Sequence, residues 1–430
     1  MRRLRGATVK KFLPKRLKRS GSSNNDTNAS KICLVPRSFG YRHVAFVGLF
    51  LLLNHIFTGK EHFNRLLREI QRDHNVITMK DSNKNPTRES QLPQTPKCSN
   101  AQLDAIYSSF KTPLNQKDTI KRFHTPLMFH TRCPDESWAR THFEKIIRGN
   151  ESSPFLGVNV GCNKGLDAIE MARLLSQDPR ISVKDWNKAM GDAKAKPVCG
   201  VPKDQPLANS ASSLGTVHCI EPVSSTVKDL KKALRELHYE DSIVVTQAAA
   251  TNYTGTVRFP NSVDSGAEGS SLKDCEAGSS SEGCAEIPAY TLDDYLREHS
   301  VNSGGAASNS IHSGAASPID MLLIDAEGFD HEVLQGASET LKRVRYLLFE
   351  VHLVGNWMSH SLVETVETIL EDFTCYWAGK NRLWRITNCL NETIADLYEY
   401  KSWSNVACVH RREIELTAIM EYIFRRTVQV

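Results

Sequence analysis

The sequence predicts an α/β fold in which a sheet is covered by helices on both faces. Three observations carry this expectation. From about residue 151 onward, short β-rich runs alternate with amphipathic helical ones. The strand candidates are almost continuously apolar, as strands buried on both faces must be. Glycine-rich and acidic residues fall just past the ends of these runs, where such sheets place their ligands.

The strand candidates are residues 155–160, 216–220, 243–248, 321–324 and 346–349, with helices beginning near Gly165, Ser224, Tyr290, Asp330 and Ser361. The helix after Glu221 is the plainest. Val227, Leu230, Leu234 and Leu237 form one apolar stripe, opposite Lys228, Lys231, Lys232 and Arg235. Residues 373–377, 383–386 and 406–409 read as closing strands, two of them in a hairpin around Ala378 to Asn381, with a reversed strand expected at the edge.

Around this domain, placed at 151–412, the chain reads as a series of appendages. Residues 98–150 have helical patterns and serve as a lead-in, and 413–430 are taken as a C-terminal tail. Three insertions are expected, near 177–213, 261–285 and 302–317. The last two are rich in Ser, Gly, Glu or Ala and are expected to be flexible. Cys275 and Cys284 could staple the middle one.

The net charge of +5 conceals a basic tail at 1–43, whose first twenty residues contain no acid. Basic residues confined to a tail, without interleaved aromatics, exclude a nucleic-acid face. The apolar run 44–57, within a segment assigned as 44–59, reads as a signal-anchor transmembrane helix, short for a span of about twenty residues. A buried helix or an organelle transit peptide is the alternative. Residues 60–97 are polar and suit a stem. By the positive-inside rule the chain is a single-pass type II membrane protein of the Golgi or endoplasmic reticulum, with its catalytic part in the lumen. Ten of the eleven cysteines follow the anchor, an even set that permits disulfides, although scattered buried thiols would also fit. Asn150, Asn252 and Asn391 head N-x-S/T triplets on the same side.

Four segments could carry chemistry. In FLGVNVGCNKG, an apolar strand runs into Gly161, Asn163 and Gly165 before a helix, a place where backbone can approach a cofactor. The spacing GxxxG lacks the pyrophosphate fingerprint of dinucleotide sites. Glu221 stands past the second strand, where a carboxylate can accept both hydroxyls of a ribose. Gln247 and Ala248 end the third strand and could border an adenine. Asp325 and Glu327 end the fourth, with Glu350 and His352 at the end of the next, so four polar groups share one rim at a burial cost that a ligand could offset.

These segments resemble the FkbM methyltransferase family over about residues 130–410. The matching motifs are NVGCNKG at 159–165, Glu221-Pro222, TLDDYL at 291–296, IDAEGFDHEVLQGA at 324–337 and FEVH at 349–352. The resemblance implies the seven-stranded class I methyltransferase sheet, S-adenosyl-L-methionine as cofactor, and methyl transfer to a hydroxyl of a sugar, glycan or other small acceptor. It carries Asn159, Gly161, Asn163, Gly165, Glu221, Gln247, Ala248 and Asp325 over as cofactor-binding positions. Asp325, Glu327 and His352 become the candidates for the base that accepts the acceptor's proton. Two departures stand out: Asn159 replaces the family's acid, and Leu323 its lysine. A metal bridging Asp325, Glu327 and Glu350 is weighed, and no metal ligand is assigned. Two other readings compete. One is a nucleotide-sugar or dinucleotide-dependent enzyme on a related sheet. The other is a degenerate methyltransferase fold that only binds.

Overall fold

The computed structural model describes residues 92–111, 133–134, 137–149, 154–191, 199–205, 207, 215–261, 263–267, 275, 283–299, 317–399 and 403–429. The basic tail, the proposed anchor, most of the stem, Asn150 and nearly all of insertion 302–317 lie outside them. Among the described residues, no helix is long and apolar enough to cross a membrane.

In chain order the elements begin with α1 (Asn100–Lys111), α2 (Ser137–Gly149), β1 (Phe155–Val160), α3 (Leu166–Ser176), α4 (Val183–Ala189), β2 (Gly215–Glu221) and α5 (Ser224–Leu237). Then come β3 (Ile243–Gln247), β4 (Ala249–Ala250), β5 (Gly255–Pro260), β6 (Cys284–Tyr290), α6 (Leu292–His299), β7 (Ile319–Ile324) and α7 (Asp330–Gln335). The chain closes with β8 (Val344–Val351), β9 (Phe373–Gly379), β10 (Arg382–Arg385), α8 (Glu392–Glu399), β11 (Ser404–His410) and α9 (Ile414–Thr427).

Eight strands form one sheet in the order β10-β9-β11-β8-β7-β1-β2-β3. The five from β8 to β3 are parallel, as their apolar runs predict. A reversed strand stands at the edge, β10, which is antiparallel to β9 and runs against the parallel set, and β11 is a second reversed strand inside the sheet. β11 slots between β8 and β9, antiparallel to both, and the hairpin partner β10 forms the edge. Burial explains the placement: Val406 to Val409 are completely buried, whereas Arg382 at the start of β10 is exposed.

Strand order reverses at β1, which lies between β2 and β7. Helix α3 packs close over β1 because Gly157 has no side chain; a Cβ there would lie 2.1 Å from the Met171 sulfur. Insertion 177–213 contributes α4, whose Trp186 is 1 % exposed and donates its indole N–H to the Lys164 carbonyl at 2.8 Å.

Insertion 261–285 is the connection of a hairpin. β5 and β6 are antiparallel, β4 pairs with β6, and these three strands form a second small sheet over Val223, Ala249, Phe259 and Ile287. The Cys275–Cys284 bridge closes the connection as expected. Residues 413–430 are no tail: α9 buries Leu416, Ile419, Met420 and Phe424. The last stem residues also dock. Cys98 is bonded to Cys389, and the Asn388 side chain donates to the Thr95 carbonyl at 2.7 Å. All ten cysteines after residue 60 pair, the remaining bridges being Cys133–Cys199, Cys162–Cys219 and Cys375–Cys408.

Candidate functional site

Backbone bonds just past the strand ends bring the four motifs onto one rim. Gly161 N–H donates to the Ile220 carbonyl at 2.9 Å, Asp325 N–H to Val160 at 3.0 Å, and Ala248 N–H to Glu221 at 3.2 Å. The ends of β1, β2, β3 and β7 therefore lie side by side at the switch point, where open α/β sheets bind ligands.

One pocket there is lined by Gly161, Asn163, Glu221, Ala248, Asp325 and Glu327 from the expected set. Val223, Ala249, Phe259 and Phe329 supply apolar walls. Glu221 is 4 % exposed, and its two carboxylate oxygens accept the N–H groups of Val223 at 2.9 Å and Asn163 at 2.8 Å. Burial pushes its pKa up to about 7 against the pull of these two N–H groups. Asn163, at φ +46°, keeps a buried side-chain oxygen with no hydrogen-bond partner.

Three expected cofactor residues do not line this pocket. Gly165, at φ +70°, is required for packing, because a Cβ would meet Trp186 at 2.8 Å and Leu230 at 2.9 Å. Asn159 is 1 % exposed within β1, its side-chain oxygen buried and without a partner. Gln247 ends β3, and the chain turns so that Ala248 rather than Gln247 faces the pocket. The TLDDYL segment is likewise structural. Asp293 accepts the Glu339 and Thr340 N–H groups, and the buried Tyr295 hydroxyl bonds to His218 and Thr246.

A second cleft of about 730 Å³ adjoins the pocket and shares Gly161, Asn163, Asp325 and Glu327 with it. Its walls add Asp167, Glu170, Glu350, His352 and Trp403. Glu327 is held at φ +51°, an unusual conformation for a side-chain-bearing residue. Burial, reinforced by the charges of Glu327, Asp330 and Asp167, pushes the Asp325 carboxyl well above its ordinary range, and a hydrogen bond with Glu350 opposes the shift. Glu350 is shifted the same way, first by burial and then by Asp325. Like charges this close favour a proton held between the two. The Trp403 indole donates to Glu350, and its ring meets His352 edge-on at 6.1 Å. Burial lowers the His352 pKa, so the imidazole is held neutral.

Sequence reasoning misses Phe259, because β5 falls between the strand expected at 243–248 and the insertion expected at 261–285, and Trp403, which stands before β11 with no motif around it. Asp330 was noted only as a helix start. It is fully buried, accepts the Ala326 N–H at 3.2 Å and has a pKa pushed up to about 7 by burial.

A family model described as the methyltransferase FkbM domain matches residues 199–374. The chain is similar to the solved structure of methyltransferase FkbM from Methylobacillus flagellatus KT, with 12 % identity over 62 % of this chain and 48 % of that one, and a TM-score of 0.30. It thus spans about half the length of that relative. The O-methyltransferase from Bacillus cereus, in complex with SAH, is 9 % identical over 73 % and 91 % of the two chains, TM-score 0.27. TomG, the O-methyltransferase from Streptomyces achromogenes in complex with SAM, is 10 % identical over 75 % and 92 %, TM-score 0.27. No curated protein matches the sequence.

Proposed function

We propose that this chain, which carries a methyltransferase FkbM domain, transfers a methyl group from S-adenosyl-L-methionine to a hydroxyl of a sugar, glycan or other small acceptor. The observation that carries the reading is the junction of the two cavities. A slot with a buried carboxylate opens, across Gly161, Asn163, Asp325 and Glu327, into an acid-walled cleft.

The slot suits the cofactor on its own chemistry. Glu221 offers two acceptor oxygens for ribose hydroxyls, and the buried Asn163 oxygen lacks a partner that a ligand N–H or O–H could supply. Val223, Ala248, Ala249 and Phe259 form apolar walls for a flat base. When bound, S-adenosyl-L-methionine supplies an electrophilic methyl carbon on a sulfonium. The charge lost at Asn159 is made up by Asp325 and Glu327 at the junction, and the proton that Asp325 shares with Glu350 becomes dispensable once a cation faces them.

In the cleft, the chain's task is to hold an acceptor oxygen in line and to take its proton. Asp325 is the candidate base because it lies in both cavities, with Glu327 and His352 beside it. A luminal setting is supported by the pairing of all ten cysteines and by the exposure of Asn252 and Asn391. The anchor reading rests on the sequence pattern alone.

Calorimetric titration of the full-length chain tests the proposal. Saturable S-adenosyl-L-methionine binding, weakened at least tenfold in Glu221→Ala and absent with NAD, is expected. A folded protein that ignores S-adenosyl-L-methionine would sink the enzymatic reading.

A further inference from the structure

The end of β8 and the turn after β7 place two carboxylates and an imidazole around one point of the cleft. Glu350 and His352 are two residues apart at a strand end, so both project to the same side, and Glu327 approaches from the neighbouring strand's turn. One donor atom from each lies within 4.8 Å of the other two. Ligands on a small divalent ion stand about 3–3.5 Å apart, so closing the set takes side-chain shifts on the order of 1–2 Å. We infer that Glu327, Glu350 and His352 bind one divalent transition-metal cation in the acceptor cleft.

Two further observations point to a ligand here. The His352 Nδ1 is buried and has no hydrogen-bond partner, an expensive state for a ring nitrogen on this cleft. The donors are also supported from outside as metal ligands are. The Trp403 indole donates to the Glu350 carboxylate, Trp357 donates to the Glu350 backbone carbonyl at 3.1 Å, and Asp325 shares a hydrogen bond with Glu350. Glu350 itself is 8 % exposed and crowded by Asp325 and Asp330, so a positive ion has electrostatic reason to be there.

The donor set chooses the ion class. Oxygen ligands alone would suit Mg²⁺ or Ca²⁺, but an imidazole moves preference to Mn²⁺, Fe²⁺ or Zn²⁺. Such an ion leaves coordination positions towards the open cleft, where an acceptor hydroxyl would bind and lose its proton more readily. That use rests on the methyl-transfer reading; the binding itself does not.

Mn²⁺ is the probe, read by electron paramagnetic resonance on the full-length chain after treatment with chelator. With the ten later cysteines paired, only Cys33 could compete as a thiol, and Mn²⁺ avoids it. One ion per chain is expected, weakened at least tenfold in His352→Ala and in Glu327→Gln, and unchanged in Glu221→Ala. Trp403→Phe, which keeps the ring but removes the donor, should weaken binding about tenfold. Circular dichroism checks that each variant folds. The inference is overturned by a folded chain with no saturable Mn²⁺ signal, or by affinity indifferent to both ligand substitutions. Calorimetry with S-adenosyl-L-methionine on the chelated protein reads the cofactor site separately, so loss of one does not imply loss of the other.

Discussion

Gly161 sits against the backbone of Asp325 so closely that a Cβ on residue 161 would lie 1.8 Å from the Asp325 carbonyl oxygen. The glycine turn of β1 and the acid at the end of β7 are thus held together by the absence of a side chain. Its φ of +72° adds a conformational reason for glycine. Gly161→Ala should therefore cost at least about 2 kcal/mol in urea unfolding, because neither backbone can yield cheaply. Calorimetry should also find S-adenosyl-L-methionine binding lost. A variant with wild-type stability would show that the two strand ends are not locked.

The pH dependence of stability should carry the mark of Asp330. Its pKa rises from 3.8 to about 7 on burial, so the folded chain holds this proton more tightly than the unfolded one. The associated stability is full below pH 4 and is eroded as pH rises through 7. Asp330→Asn removes that erosion. Between pH 5 and pH 8, the variant should lose about 2 kcal/mol less than the wild type in denaturant titrations. Equal losses in both proteins would remove Asp330 from the account.

Helix α9 is fastened to the sheet edge by a buried charge. Arg385 is 1 % exposed, pairs with Glu421, donates to the Pro96 carbonyl at 2.9 Å and lies 4.9 Å over the Phe424 ring. Removing only the acid strands the guanidinium. Glu421→Ala should cost about 3–5 kcal/mol, whereas an Arg385→Met, Glu421→Met pair should recover much of it. Thermal melts of the three variants decide the matter.

Peptide mapping of unreduced protein should find Cys33 as the one free thiol, with the other ten cysteines in the five pairs described. Cys98–Cys389 joins positions 291 residues apart. Replacing both by Ser should lower stability by about 2–5 kcal/mol. A different set of bridged peptides would contradict the docking of residues 92–98.

The sheet strands were legible because burial on both faces writes itself as an unbroken apolar run, and five parallel strands appear where those runs stand. Helix α9 was equally legible: Leu416, Ile419, Met420 and Phe424 recur at helical spacing. It lies past the family resemblance, which ends near residue 410. The β5–β6 hairpin was harder, since β5 is mostly exposed and carries no clean alternation.

For the site, the sequence by itself determined which groups stand at strand ends, because the chain leaves a buried strand where its apolar run stops. That places Gly161, Glu221, Asp325, Glu350 and His352 on one rim. Which of them meet was decided by strand order and register alone. Those put β1 between β2 and β7, bring Trp403 onto Glu350 and leave Asn159, Gly165 and Gln247 outside the pocket. Sequence periodicity fixes a residue's face, but neighbours far apart in the chain are chosen only when the strands pair.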